Sequence, residues 1–309
     1  VSDAPTRSGV ASPDRLRRYA TYASVAVAST LIATKLVAYL MTESVSILSS
    51  LIDSSTDLMA SVVTLLGVRH ALRPADANHR FGHGKAEALA ALAQAAFIGG
   101  SAVLLSIEAV RRLLHPEPIT EGAAGIGVML LSIVLTALLI AFQRRVQVAT
   151  GSVAIGADRL HYSGDLLMNS AVIAAILLTG ATGITVIDPL FGVGIALFLV
   201  NGARGVARDA LDVLMDKELG PEERERIVAL VRAEPGVRGL HDLRTRNAGT
   251  GRFIELHLEL DGTLTLTAAH DIADGVERRL SAAFDNAEVL VHQEPAGLAD
   301  ERLDHRIEG

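Results

Sequence analysis

The chain contains no cysteine and no tryptophan. Without thiols there can be no disulfide, no iron–sulfur cluster and no thiolate metal site, so histidine and carboxylate are the only strong metal ligands left. Aromatic residues make up 4% of the sequence. That thins the belt that usually marks a membrane interface, so the ends of apolar segments have to be read from charge, glycine and proline. A formal charge of −7 argues against a nucleic-acid partner. The first 18 residues, VSDAPTRSGVASPDRLRR, are polar and hold no apolar run of signal-peptide length, so no cleavable signal peptide is expected.

What is present is hydrophobicity with an uneven distribution. Half of the 309 residues are hydrophobic and 20% are charged, with a mean hydropathy of +0.37. This is too apolar for an ordinary soluble enzyme and too charged for a wholly embedded chain, so a membrane part joined to a soluble part is expected. Six apolar stretches of roughly spanning length, about 20 residues, fall at 19–41, 45–70, 87–110, 122–142, 154–179 and 184–206. Basic clusters at 15–18, 69–85 and 143–145, with Arg204 and Arg208, fall on one side of six spans, while MTES and TGATGIT on the other side are free of Lys and Arg. The positive-inside rule then puts both termini in the cytoplasm. Arg111 and Arg112 fall on the outer side and disagree, but the other loops outvote them.

After residue 206 the pattern becomes that of a small soluble domain. GPEERERIVALVRAEPGV has helical spacing; GLHDLRTRNAG and RFIELHLEL alternate like two strands joined by an Asn/Gly turn. LTAAHDIADGVERRLSAAF is an amphipathic helix and AEVLVHQEP a last strand. The expected organisation is a polar tail over 1–18, a six-helix transmembrane domain over 19–210, an α+β domain of order αββαβ over 211–296 and a disordered tail over 297–309.

Two pairs of polar residues stand inside the apolar stretches. Asp53 and Asp57 on the second, and His161 and Asp165 on the fifth, are each spaced i,i+4 and so share a helix face. Facing one another, they would offer three carboxylates and one imidazole, a set suited to a divalent metal such as zinc. Ionisable groups inside a membrane are expensive and functional by default. Asp188 before Pro189 reads as a helix cap, Lys35 as a side chain that snorkels to the interface, and FIGGSA at 97–102 as a site of close helix packing. Elsewhere, Asp76, His79 and His83 in the loop PADANHRFGHGK could be a metal site or only solvated side chains. Four of the ten histidines, His241, His257, His270 and His292, lie in the regular elements of the soluble domain, and His292 and Glu294 share a strand face.

The segments SSLIDSSTDLMAS, PADANHRFGHGKAEALAALAQ, LHYSGDLLMN, GLHDLRTRNAGTGRFIELHLEL and VHQEP resemble the cation diffusion facilitator family over residues 20 to 296. The resemblance implies a homodimer in the bacterial inner membrane, six spans and a cytoplasmic metallochaperone-like domain per protomer, exporting divalent metal in exchange for protons. It implies that Asp53, Asp57, His161 and Asp165 form the transport site and that Asp76, His79 and His83 form a second metal site. It also implies a two-metal site at the dimer interface, built from His241, His257, His270, His292 and Glu294, and a charged interlock of Lys85 with Asp216. The family usually has Asp where Glu294 stands, which changes the reach of the bridging carboxylate. Zinc is the expected metal, with iron, cadmium or manganese as alternatives. A membrane-anchored metal sensor and a metal channel are the competing readings. No nucleophile with a base and no phosphate-cradling glycine loop suggests an enzyme.

Overall fold

A computed structural model describes residues 12–115 and 123–298. The expected outer loop around 116–122, most of the N-terminal tail and the C-terminal tail beyond 298 lie outside the described residues. The chain divides into two compact units, 1–211 and 212–309, close to the boundary expected at 210.

The first unit holds six helices: α1 (Pro13–Thr42), α2 (Val45–Ala71), α3 (Lys85–Leu114), α4 (Ala123–Thr150), α5 (Val153–Thr182) and α6 (Ile187–Leu214). All six are long and apolar enough to cross a membrane. Helices of 25 to 30 residues are about 38–45 Å long at 1.5 Å per residue, longer than a hydrocarbon core of about 30 Å. The apolar stretches therefore underestimate the helices: α4 continues to Thr150 and α6 to Leu214 because their polar ends are still helical. Pro13 starts α1 at a position where its missing N–H costs nothing. Glu43 ends the helix in the left-handed conformation, φ 51°, with its N–H bonded to the Tyr39 carbonyl. Ser152 caps α5 by accepting from the Ile155 N–H, and Gly183 at φ 72° closes it.

The close helix approach is not where FIGGSA suggests. Among the described residues, a Cβ on Gly99 or Gly100 would meet nothing within 4 Å, whereas a Cβ on Gly67 would stand 2.3 Å from the Ala90 Cβ and 3.2 Å from the Ala86 carbonyl. Glycine at 67 is thus what lets α2 lie against α3. Asp188 is not simply a cap either. Its carboxylate takes the Arg112 guanidinium of α3 at 3.0 Å, and Glu108 takes the same guanidinium at 2.9 Å. Arg112 is therefore neutralised by two carboxylates, and Arg111 lies 3.6 Å from Glu108. That explains how two arginines sit at the end where the charge rule expects none. Toward the other end of the bundle, Glu87 of α3 accepts from the Ser152 hydroxyl and faces Arg17 of α1 at 4.0 Å.

The second unit holds α7 (Pro221–Arg232), β1 (Gly239–Asn247), β2 (Arg252–Leu260), α8 (Leu266–Ala283) and β3 (Ala287–Pro295). The order is the αββαβ expected. The sheet runs β1-β2-β3, with β1 antiparallel and β3 parallel to β2, so α8 is the crossover of a β-α-β unit. Along β2, Ile254, Leu256, Leu258 and Leu260 point into a core with Ile227 and Val231 of α7 and Val276 and Leu280 of α8. By the two-residue period of a strand, His257 and Glu259 then face the other side of the sheet. The β1–β2 turn is tight because Gly249 takes φ 81° and its N–H bonds the Asn247 side chain.

Candidate metal centres

The i,i+4 spacing on α2 and α5 does bring the polar residues of the two helices together. His161 Nε2 lies 3.1 Å from Asp57 Oδ1 and 3.8 Å from Asp165 Oδ2. One ligand atom from each of the three residues falls within 4.8 Å of the others. His161 is buried and both carboxylates are partly exposed, so the site is reachable yet mostly dry. Asp53 does not join the trio: it stands one turn before Asp57 on α2 and is exposed. Lys35 does not snorkel. It is 7% exposed, and its ammonium donates to the Ser50 carbonyl at 3.1 Å and the Ser54 hydroxyl at 2.6 Å on α2. It also lines a cavity of about 60 Å³ with Ser132 and Asn169. A buried ammonium must be hydrogen-bonded to be tolerable, and Ser50 and Ser54, spaced i,i+4 on one face of α2, supply those acceptors.

The loop after α2 forms a second group. Asp76 Oδ1 accepts from the backbone N–H of Asn78 at 2.9 Å and of His79 at 2.8 Å, an Asx turn that curls the loop back on itself. These bonds, the His79 N–H foremost, hold the Asp76 carboxyl below its ordinary value. His79 Nδ1 lies 3.4 Å and His83 Nε2 3.3 Å from the same carboxylate. Asp76 and His79 are exposed, while the His83 side chain is nearly closed off. Its Nδ1 has no hydrogen-bond partner among the described residues. His70, at the end of α2, sets its ring edge-on to His83 at 4.7 Å. In the sequence His70 is one residue of the basic cluster at 69–85 and carries no ligand spacing of its own.

The third group stands on the open face of the sheet. Strand register places His241, His257 and His292 on one rung across β1, β2 and β3, with Glu259 and Glu294 on the next. Glu294 meets His257 Nδ1, lies 3.4 Å from His241 Nε2 and is 3.4 Å from His292 Nε2. His241, His257 and Glu294 offer ligand atoms within 4.8 Å of one another, a nitrogen- and oxygen-donor set that fits zinc, while His292 stays outside that trio with its side chain 65% exposed. Glu259 was not foreseen. Its carboxylate accepts from His241 Nδ1 at 2.9 Å, leaving Nε2 aimed at Glu294, the arrangement by which an outer carboxylate orients a metal-binding histidine. His270 is not in this group: on α8 its side chain is 63% exposed and faces Asp274 at 3.7 Å. Lys85 opens α3, and Asp216 follows α6 with its carboxylate 3.6 Å from Arg246. The two belong to separate units.

A polytopic helical domain carrying a buried carboxylate–histidine site and followed by an αββαβ domain defines a membrane transporter class, and the comparisons with known proteins say which one. The family pattern "Cation efflux transmembrane domain" matches residues 21–215, and "Cation efflux protein, cytoplasmic domain" matches 219–296. The chain belongs to the cation efflux family, a family of transporters and not of enzymes. It is 47% identical to the cation-efflux pump FieF of Shewanella oneidensis over 278 residues, 90% of this chain and 94% of that one. It is 44% identical to the FieF of Pectobacterium atrosepticum over 293 residues, 95% and 97% of the two chains. Among solved structures, the metal-bound C-terminal domain of the CzcD transporter from Thermotoga maritima is 29% identical and covers 26% of this chain and 100% of that one, with a TM-score of 0.25. CzrB in its Zn form is 38% identical, covering 28% and 99%, with a TM-score of 0.26.

Proposed function

We propose that the protein exports divalent metal, zinc first and ferrous iron, cadmium or manganese as alternatives, from the cytoplasm in exchange for protons. It would do so as a homodimer in a bacterial inner membrane with both termini cytoplasmic. The observation that carries this reading is the convergence of Asp57 from α2 with His161 and Asp165 from α5 inside a helical bundle. A sensor merely anchored in the membrane has no use for carboxylates there. Asp53 completes the set on the strength of the family resemblance, entering from the adjacent turn of α2 in another arrangement of the helices.

The coupling follows from charge. An empty site leaves like charges close together, and protons relieve that repulsion; a metal arriving from the cytoplasm needs deprotonated ligands and displaces those protons. A site opened alternately to each face then moves metal outward and protons inward. Asp76, His79 and His83 form an exchangeable loop site. His241, His257, His292 and Glu294 hold metal in the cytoplasmic domain, and His270, pointing away in the single chain, joins from across the dimer. Lys85 and Asp216 form the charged interlock of that dimer.

Zinc uptake into inverted vesicles holding the purified protein and a trapped pH dye tests this directly. Saturable flux that moves protons in the opposite direction is expected, with fewer protons per metal in His161→Ala. Flux that neither saturates nor responds to a pH gradient would instead identify a channel.

A further inference from the structure

A second carboxylate on α5 lies outside every group described above. Asp158, one turn before His161, is 1% exposed and has no Lys or Arg ion-pair partner among the described residues. Three side chains from three other helices donate to it. Ser24 Oγ of α1 reaches Oδ2 at 2.6 Å, Gln143 Nε2 of α4 reaches the same oxygen at 2.7 Å, and Gln94 Nε2 of α3 reaches Oδ1 at 3.1 Å. The Gln94 amide also meets Thr64 Oγ1 and the Ala60 carbonyl on α2, at 3.0 and 3.3 Å. Immediately after His161, the Tyr162 hydroxyl pairs with Ser61 of α2 at 2.8 Å and reaches the Ser24 carbonyl of α1 at 3.2 Å.

The chemistry of this junction is demanding. An ionised carboxylate only accepts, so both glutamine amides must turn nitrogen, not oxygen, toward it. An apolar side chain would fill the same junction without the cost of burying a charge. What the carboxylate adds is direction. It ties α1, α3 and α4 to one point on α5, about 4.5 Å along the axis from His161, and Tyr162 ties the far side. The imidazole is thus held between two anchors. From this geometry we infer that Asp158 is a positioning residue for cation transport: it fixes the rotation of α5 that turns His161 toward Asp57.

The inference rests on Asp57, His161 and Asp165 being the transport site, and vesicle flux with the full-length protein separates the two. Asp158→Asn keeps the size but sets an amide nitrogen against a ring of donors. The zinc KM should rise about 10–100-fold, as for loss of an orienting group around a metal site, with kcat changed by less than about threefold. Adding Gln143→Glu restores a carboxylate across the same α4–α5 contact and should bring most of the KM back. An unchanged KM in Asp158→Asn, a fall in kcat alone, or no recovery with Gln143→Glu would each overturn the positioning role. Should Asp158→Asn not fold, Ser24→Ala removes a single donor; a KM several-fold up supports the inference and a wild-type KM overturns it. If Asp57→Ala retains wild-type flux, the transport-site reading has failed; if it is inactive while the Asp158→Asn KM is unmoved, only Asp158 loses its role.

Discussion

The chain gathers histidine and carboxylate twice in regular structure, once on helices and once on strands, and the two solutions differ in what holds them. On α5 the ligands His161 and Asp165 come as an i,i+4 pair, so part of the constellation is local, and the rest depends on how α2 turns Asp57 toward them. On the sheet, His241, His257 and His292 come from three strands and share only a rung, so hydrogen-bonded register does all of the aligning. A helix can rotate or shift against its neighbour at modest cost, whereas a strand that slips by one residue turns its side chains to the opposite face. The helical site therefore suits a ligand set that must change, and the sheet site one that must stay.

The sharpest way to break this contrast is at the helical site. If Asp57 and Asp165 are the transport ligands proposed above, Asp57→Ala or Asp165→Ala should lower zinc flux by more than about 100-fold while the purified protein keeps its helical content, because a partly exposed side chain is removed without opening a core void. Flux near wild type in either would end the comparison. Leu256→Ala, in the core beneath the rung, should cost about 2–5 kcal/mol and lower the unfolding midpoint of the soluble unit, read by calorimetry on the whole protein. An unmoved midpoint would show that the sheet core does not hold the rung. His257→Ala should weaken zinc binding by the cytoplasmic site about tenfold or more, measured by titration in an Asp57→Ala background, and leave flux in the otherwise native protein within a few-fold. If flux vanishes with it, the sheet site is part of the transport path.

The smallest effect concerns acid. Asp261, at the end of β2, accepts from the Thr263 hydroxyl at 2.7 Å and the Thr263 N–H at 2.9 Å, the hydroxyl foremost in holding its carboxyl below the ordinary value. A carboxyl depressed on folding adds stability that is present in full above its unfolded value, about 3.9, and is lost as pH falls through the folded one. Wild type should therefore exceed Asp261→Ala slightly and evenly above about pH 5, with the gap closing below about pH 4. A gap that widens in acid would reverse the sign.

What could be read from the sequence follows the same division. The His161–Asp165 pair and the alternation of RFIELHLEL are local patterns that the structure keeps, whereas of the Asp53–Asp57 pair only Asp57 stands beside His161. Asp158 gave no such signal: its meaning comes from Ser24, Gln94 and Gln143, which are 134, 64 and 15 residues away. Glu259 was hidden for a similar reason, since only the pairing of β1 with β2 puts it beside His241. Helix composition alone likewise says nothing of which neighbour a given face meets, so Lys35 reads as an interfacial side chain although it bonds Ser50 and Ser54 of α2. His270 belongs to the set only through the dimer that the family resemblance implies; within one chain its place on α8 turns it toward Asp274.

The rung has a thermodynamic consequence of its own. Its three histidines span residues 241 to 292, so no short stretch of the unfolded chain presents them together. An ion held there would favour the native sheet over the unfolded chain and act as a reversible crosslink over three strands. By mass action, a ligand at 100 times its dissociation constant adds about 2.7 kcal/mol of stability. The parallel β2–β3 pairing, closed only after the chain has passed through α8, gains most from such a staple. Cellular metal supply would then set how firmly this sheet is shut, and chelation would loosen it from the β3 edge inward.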